Sequence, residues 1–310
     1  MRLVFAGTPE PAAASLRHLI DSQHEVVAVL TRPDARKGRG RSLHPSPVKE
    51  LAAEHGIEVL TPDTLKDNEE IRERLKELEP DCIPVVAYGN LIPSDMLDIA
   101  PHGWVNLHFS LLPQWRGAAP VQHAILHGDE VTGATVFRID EGLDTGDVIH
   151  TLRTEVEPGE TSGELLGRLA EAGAAALVEA MDQLASGAAA HTPQPTEGTY
   201  AGKITPEMAR VDWKQPAGVV DRVVRAFSPA PGAWTTLGGD RVKLERVEAQ
   251  ETSELAPGEV RASKKQVLVG TGSADVALTR VQPPGKKMMN AADWARGMKP
   301  EDAEKGVVFE

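Results

Sequence analysis

The segment Gly103-Trp104-Val105-Asn106-Leu107-His108-Phe109-Ser110 holds the polar residues best placed to do chemistry. In an extended strand, residues two apart share a face, so Asn106 and His108 point one way while Val105 and Leu107 point the other. An amide and an imidazole side by side can donate to negative charge as it builds on a carbonyl oxygen, which is the demand of acyl transfer. Taken singly, each also reads as a satisfied core histidine or a strand-ending asparagine. Burying either without partners costs about 1–3 kcal/mol. The pair is therefore expected at the carboxyl end of a sheet, where a crevice keeps such groups useful. Leu111-Leu112-Pro113 and Arg116-Gly117 follow directly and favour a site.

A second polar element, residues 139–148, contains Asp140, Glu141, Asp144 and Asp147. Asp and Gly suit a hairpin turn, and carboxylates suit a divalent cation. The spacing departs from the D-x-[DN]-x-[DN]-G pattern and no His or Cys cluster accompanies it, so no metal is expected. The chemical role left for an Asp here is to orient and stabilise a nearby imidazolium.

These groups need a scaffold. Apolar runs at 1–7, 24–31, 57–60 and 81–88 alternate with helical spacing at 11–21, 46–55 and 68–78. Repeated strand and helix predicts a parallel sheet with helices on both faces. The first turn, Ala6-Gly7-Thr8-Pro9, lacks Gly-x-Gly-x-x-Gly, which disfavours a nicotinamide dehydrogenase. Residues 187–206 are rich in Pro, Gly and Thr and read as a linker. Beyond them come a helix at 217–227 and short strands at 233–237, 241–249, 258–262, 266–270 and 275–281, with Gly238-Gly239 as a tight hairpin. That pattern predicts a small barrel.

Length favours two domains over one. A net charge of −13 argues against indiscriminate coating of nucleic acid, so any polyanion must be held locally. The conspicuous basic cluster is Arg36, Lys37, Arg39 and Arg41, which on composition reads as a solvated loop. Cys82 is the single cysteine, which excludes an internal disulfide and fits a reducing compartment. No apolar run is long enough to span a bilayer, and the amino-terminal run is too short for a secretory signal.

Phe5-Ala6-Gly7-Thr8-Pro9, Val86-Ala87-Tyr88-Gly89, Asn106-x-His108, Ser110-Leu111-Leu112-Pro113, Arg116-Gly117-Ala118-Ala119-Pro120 and the 140–147 loop together resemble the folate-dependent formyltransferases. Over nearly the whole chain the resemblance is to the branch that formylates methionyl initiator tRNA at the start of translation. It implies an α/β fold, with a Rossmann-like parallel-sheet formyltransferase domain at 1–187, a linker at 188–206 and an OB-like barrel contacting tRNA at 207–310. The implied catalytic residues are Asn106, His108, acting as a charged donor, and Asp144. Ser110, Leu111, Leu112, Pro113, Tyr88 and Asp140 are implied in holding the folate, and Arg36, Lys37, Arg39 and Arg41 in holding tRNA. The implied co-substrate is 10-formyltetrahydrofolate, without a metal, in a cytoplasmic monomer that does not engage membranes. The Asn-x-His signature is shared with enzymes acting on glycinamide ribonucleotide or amino sugars, so a small-amine acceptor stays open, as does a non-catalytic RNA-binding role for the barrel. Asn90 and His123 depart from the family pattern, which puts in question the packing around the folate.

Overall fold

The computed structural model describes residues 1–37, 42–263, 265–297 and 307–310. The chain divides into two compact units, one of Met1–Pro120, Val131–Glu155 and Leu166–Ala201, the other of Val121–Glu130, Val156–Leu165 and Gly202–Glu310.

In the first unit, seven strands form one sheet: β1 (Arg2–Gly7), β2 (Glu25–Leu30), β3 (Glu58–Leu60), β4 (Ile83–Val86), β5 (Trp104–His108), β6 (Val131–Arg138) and β7 (Val148–Glu155), in the order β7-β6-β5-β4-β1-β2-β3. The alternation in the sequence is realised as α1 (Glu10–Ile20), α2 (Pro47–Glu54) and α3 (Glu69–Leu78). Local chemistry sets their starts. Ser46 accepts from Lys49 N–H at 3.1 Å ahead of Pro47, and Asn68 accepts from Ile71 N–H at 3.2 Å.

Strands β1 to β5 run parallel, as expected, but β6 and β7 are antiparallel additions beside β5. The acidic segment 139–147 joins these two strands, so it is both a hairpin loop and a lining of the candidate site described below.

Strand β5 has apolar support on both faces. Trp104 is fully buried in a cluster with Val4, Leu30, Ile83, Val85 and Met96, and its indole N–H donates to the Met96 carbonyl at 2.8 Å. Leu107 lies against Gly173 of a 25-residue helix spanning Ser162–Ser186. Residues 188–201 are also bonded within this unit. Thr192 exchanges backbone hydrogen bonds with Val148, and Tyr200–Ala201 pairs in parallel with Arg116–Gly117.

The second unit is built on an antiparallel sheet of β8 (Ala233–Leu237), β9 (Asp240–Ala249), β10 (Glu259–Ala262), β11 (Val267–Val269), β12 (Val276–Gln282) and β13 (Val307–Val308), ordered β8-β9-β12-β11-β10-β13. Gly238 and Gly239, at φ 57° and 85°, supply the two left-handed positions that a two-residue hairpin needs. Thr236 of β8 and Glu310, just past β13, exchange backbone hydrogen bonds at 3.2 and 3.0 Å, which brings the sheet close to a barrel. Val220, Val224 and Phe227 of the helix Ala217–Ala226 and its C-cap join the core of this unit with Val242, Leu244 and Val276. Trp213 and Trp294 both stack on Phe309.

Candidate active site

At the carboxyl end of β5, Asn106 lies opposite Val85 and Phe137, and His108 opposite Thr135. Both residues line one cavity of about 800 Å³, walled also by 87–94, Gly117, Ala118 and the 139–144 loop. That volume suits a ligand of cofactor size. Apolar walls come from Val85, Ile92, Leu97 and Ile139, while Asn106, His108, Asp140 and Asp144 supply polar groups. Among the described residues, the Asn106 side-chain amide has no protein hydrogen-bond partner, which leaves its N–H donors for an incoming group.

His108 is 6% exposed and is oriented from two sides. Its Nε2–H donates to the Trp115 carbonyl at 2.8 Å, and its Nδ1 faces Asp144 Oδ2 at 3.7 Å. A carbonyl only accepts, so Nε2 keeps its proton and Nδ1 is the nitrogen free to change protonation. Burial pulls the imidazole below its usual range; Asp144 and the Trp115 carbonyl push the other way without overcoming it. Desolvation thus biases the ring toward its neutral form, against the charged donor that the resemblance implies. Desolvation of a nearly buried ring outweighs a carboxylate that is not in direct hydrogen-bond contact.

Asp144 is held by its surroundings. The Gly117 N–H donates to its Oδ2 at 2.7 Å. Asp140 Oδ1 accepts from Gly142 N–H at 3.0 Å and from the Thr145 hydroxyl at 2.7 Å, so the Asp140 carboxylate shapes the loop as well as lining the cavity. A Cβ on Gly146 would fall 1.8 Å from the Arg138 carbonyl oxygen, so only glycine lets the loop close against β6. Three non-glycine residues in left-handed conformation surround this constellation: Ala87, Trp115 and Asp144, at φ 46°, 58° and 54°. Such backbone costs about 1–3 kcal/mol each and persists only where neighbours hold it.

Of the residues that the resemblance assigns to the folate, Tyr88 and Asp140 line the cavity, whereas Ser110, Leu111, Leu112 and Pro113 do not. The latter brace the turn instead. The Ser110 hydroxyl donates to the Gln114 carbonyl at 2.5 Å, and Thr135 Oγ1 donates to the Ser110 carbonyl while accepting from Leu112 N–H. This bracing delivers the Trp115 carbonyl to His108. Asn90, which departs from the family pattern, donates to the Tyr88 hydroxyl at 3.3 Å and accepts from Arg32. It thereby ties the 88–90 turn to the end of β2. His123 belongs to the second unit, where its ring stacks on His127 and its Nε2–H donates to the Gly202 carbonyl.

The basic loop proves to have paired arms. Ala35–Lys37 forms an antiparallel ladder with Ser42–His44, and Arg36 is exposed. Arg39 and Arg41 lie outside the described residues, and of Lys37 only the backbone is described. Gln194 had no functional reading from the sequence and Arg116 was singled out only as part of the motif that follows His108, yet Gln194 reaches the acidic loop and Arg116 supports Gln194. The signal was absent because Gln194 stands 50 residues from Asp144 in a Pro-rich stretch. Among the described residues, no group of three His, Cys, Asp or Glu side chains could hold a metal ion, and no helix is long and apolar enough to cross a membrane.

Comparison with known proteins gives the family of the chain. Residues 1–181 match the family model described as formyl transferase, and residues 203–299 the model of the formyl transferase C-terminal domain. Methionyl-tRNA formyltransferase of Corynebacterium glutamicum (strain R) is 60% identical over 306 residues, covering 96% of this chain and 97% of that one. The protein of the same name from Streptomyces coelicolor is 58% identical over 308 residues, covering 98% and 99%. Among solved structures, HypX from Aquifex aeolicus in complex with tetrahydrofolic acid superposes with a TM-score of 0.64 at 22% identity, covering 95% of this chain and 46% of that one; it shares the fold. Two matched family models and relatives near 60% identity over almost the full length leave one assignment: the chain belongs to the formyl transferase family.

Proposed function

We propose that the chain transfers the formyl group of 10-formyltetrahydrofolate to the α-amino group of methionine esterified to initiator tRNA, as a cytoplasmic monomer. Its working residues are Asn106, His108 and Asp144. The observation that carries this reading is the convergence of an unengaged Asn106 amide and His108 Nδ1 on one cavity, with Asp144 3.7 Å from that nitrogen. In the same reading, residues 1–187 hold the chemistry together with the part of the 188–206 linker that is bonded to them, and 207–310 contact tRNA.

The lining fits a reduced folate: Val85, Ile92, Leu97 and Ile139 supply apolar side chains suited to a flat ring, and Asn90, Asp140 and Glu141 supply polar groups suited to its edge. Bound there, the folate supplies an activated formyl carbon. The Asn106 amide donates to the formyl oxygen as negative charge builds on it. His108 Nδ1 accepts the proton that the attacking amine releases, directly or through one water, Asp144 stabilises the imidazolium that results, and the same proton is returned to the folate nitrogen as its bond to the formyl carbon breaks and tetrahydrofolate leaves. Nε2–H stays on the Trp115 carbonyl throughout, which keeps the ring from turning.

The direct test supplies 10-formyltetrahydrofolate with charged initiator tRNA, charged elongator tRNA, glycinamide ribonucleotide and an amino sugar in turn. Formylation of charged initiator tRNA in strong preference to the rest supports the assignment. Preference for a small amine would replace it.

Two further outcomes are expected. A neutral His108 and a neutral amine are both required, and the amine titrates near 7.7–8.0. The slope of log kcat/KM against pH should therefore steepen from about one to about two as pH falls through the lowered His108 pKa. Asp144→Asn removes a charge that raises that pKa, so the break should move to lower pH; a break that stays in place would remove Asp144 from the mechanism. Separately, Arg39→Ala with Arg41→Ala should raise KM for tRNA and flatten the log–log salt dependence by roughly 1.4–1.8 units, about 0.7–0.9 per phosphate contact. Unchanged KM and slope would take the loop out of tRNA binding.

A further inference from the structure

Arg116 is 1% exposed, yet its guanidinium meets no carboxylate among the described residues. Its Nε and Nη2 donate to Gln194 Oε1 at 3.4 and 3.0 Å, Nη2 also donates to the Pro195 carbonyl at 2.9 Å, and Nη1 donates to the Thr196 carbonyl at 3.3 Å. A buried cation satisfied only by neutral oxygens is costly, and it leaves the function of the arrangement to be explained.

The other end of Gln194 supplies the explanation. Its amide nitrogen donates to the carbonyls of Asp144 at 3.0 Å and Gly146 at 2.8 Å. Arginine can only donate and a carbonyl can only accept, so the two neighbours together allow one amide orientation. Oε1 must face Arg116, and the NH₂ group must face the loop. The carbonyls it grips flank the Asp144–Thr145–Gly146 turn, in which Asp144 sits at φ 54°. On the other side, Gly117 N–H fixes the carboxylate itself. Backbone and side chain of Asp144 are thus pinned from two directions, as a strained residue requires.

We propose that Gln194 is a positioning residue for Asp144, oriented by Arg116, and that it keeps the carboxylate at working distance from His108. The proposal rests on the role given to Asp144 above.

Gln194→Glu separates this from simple support of a buried arginine. A carboxylate of the same shape pairs better with Arg116, but it has no N–H to donate and sets negative charge against two carbonyl oxygens. The fold should tolerate it, with Tm held or raised, while kcat falls by roughly 10²-fold, the scale of a displaced catalytic group. KM for the folate and for tRNA should change far less than kcat. Gln194→Ala should lower kcat similarly, and nitrogen-15 NMR should show its His108 titrating at lower pH than in the wild type, because Asp144 no longer faces the ring squarely. Wild-type kcat in Gln194→Glu, or an unmoved His108 midpoint in Gln194→Ala, would overturn the proposal. The NMR titration needs no turnover. If the wild type transferred no formyl group, the functional reading would fail while the His108 midpoint still decided whether Gln194 positions Asp144.

Discussion

Replacing His108 by Ala is expected to lower kcat by about 10²–10⁴-fold, the range for loss of a placed general base, while the protein stays folded and still binds folate. Among the described residues, the imidazole is the one group lining the cavity with a nitrogen held ready for a proton and a carboxylate placed to stabilise the resulting charge. The ring also meets Phe137 edge-on at 6.5 Å, so its removal opens space in the site and costs about 1–3 kcal/mol of stability. Circular dichroism and folate binding separate that modest cost from the catalytic one. Turnover near the wild-type level in a folded His108→Ala protein would end the assignment.

Asn106 gives the second large effect, with a different signature. Truncation to Ala removes one donor to a developing oxyanion, for which about 10²–10³ in kcat is the usual loss. Asn106→Asp should be worse than Asn106→Ala, although it changes shape less, because a carboxylate repels the charge that the amide attracts. Its negative charge should also raise the His108 pKa and move the acid limb of the pH profile upward. Parity between Asp and Ala would mean that Asn106 serves packing and not charge. The Asn106→Ala/His108→Ala double variant should lose less than the product of the single losses, since the two act on one event.

Much of this site follows from short-range pattern. Residues two apart on a strand share a face whatever the rest of the fold does, so Asn106 and His108 could be paired from spacing alone. The helix starts at Ser46 and Asn68 and the Gly238-Gly239 hairpin are equally local. The acidic loop was legible as a turn and as a site; it is a hairpin loop, and residues 139–144 of it line the cavity. The implied role of Ser110–Pro113 was harder to place, because family resemblance carries residue identity without saying which way a turn faces.

Sequence alone was enough for the alternating α/β unit, the barrel-forming strands and the Asn-x-His pair, because side-chain periodicity and turn chemistry act over a few residues. Tertiary structure decided the rest: the antiparallel strands beyond β5, the burial that lowers the His108 pKa, and the grip of Gln194 on a loop 50 residues away. Protonation depends on how much water a fold removes and which charges it brings near, and a strained turn depends on partners that chain order does not reveal. Those quantities exist only once distant segments have packed.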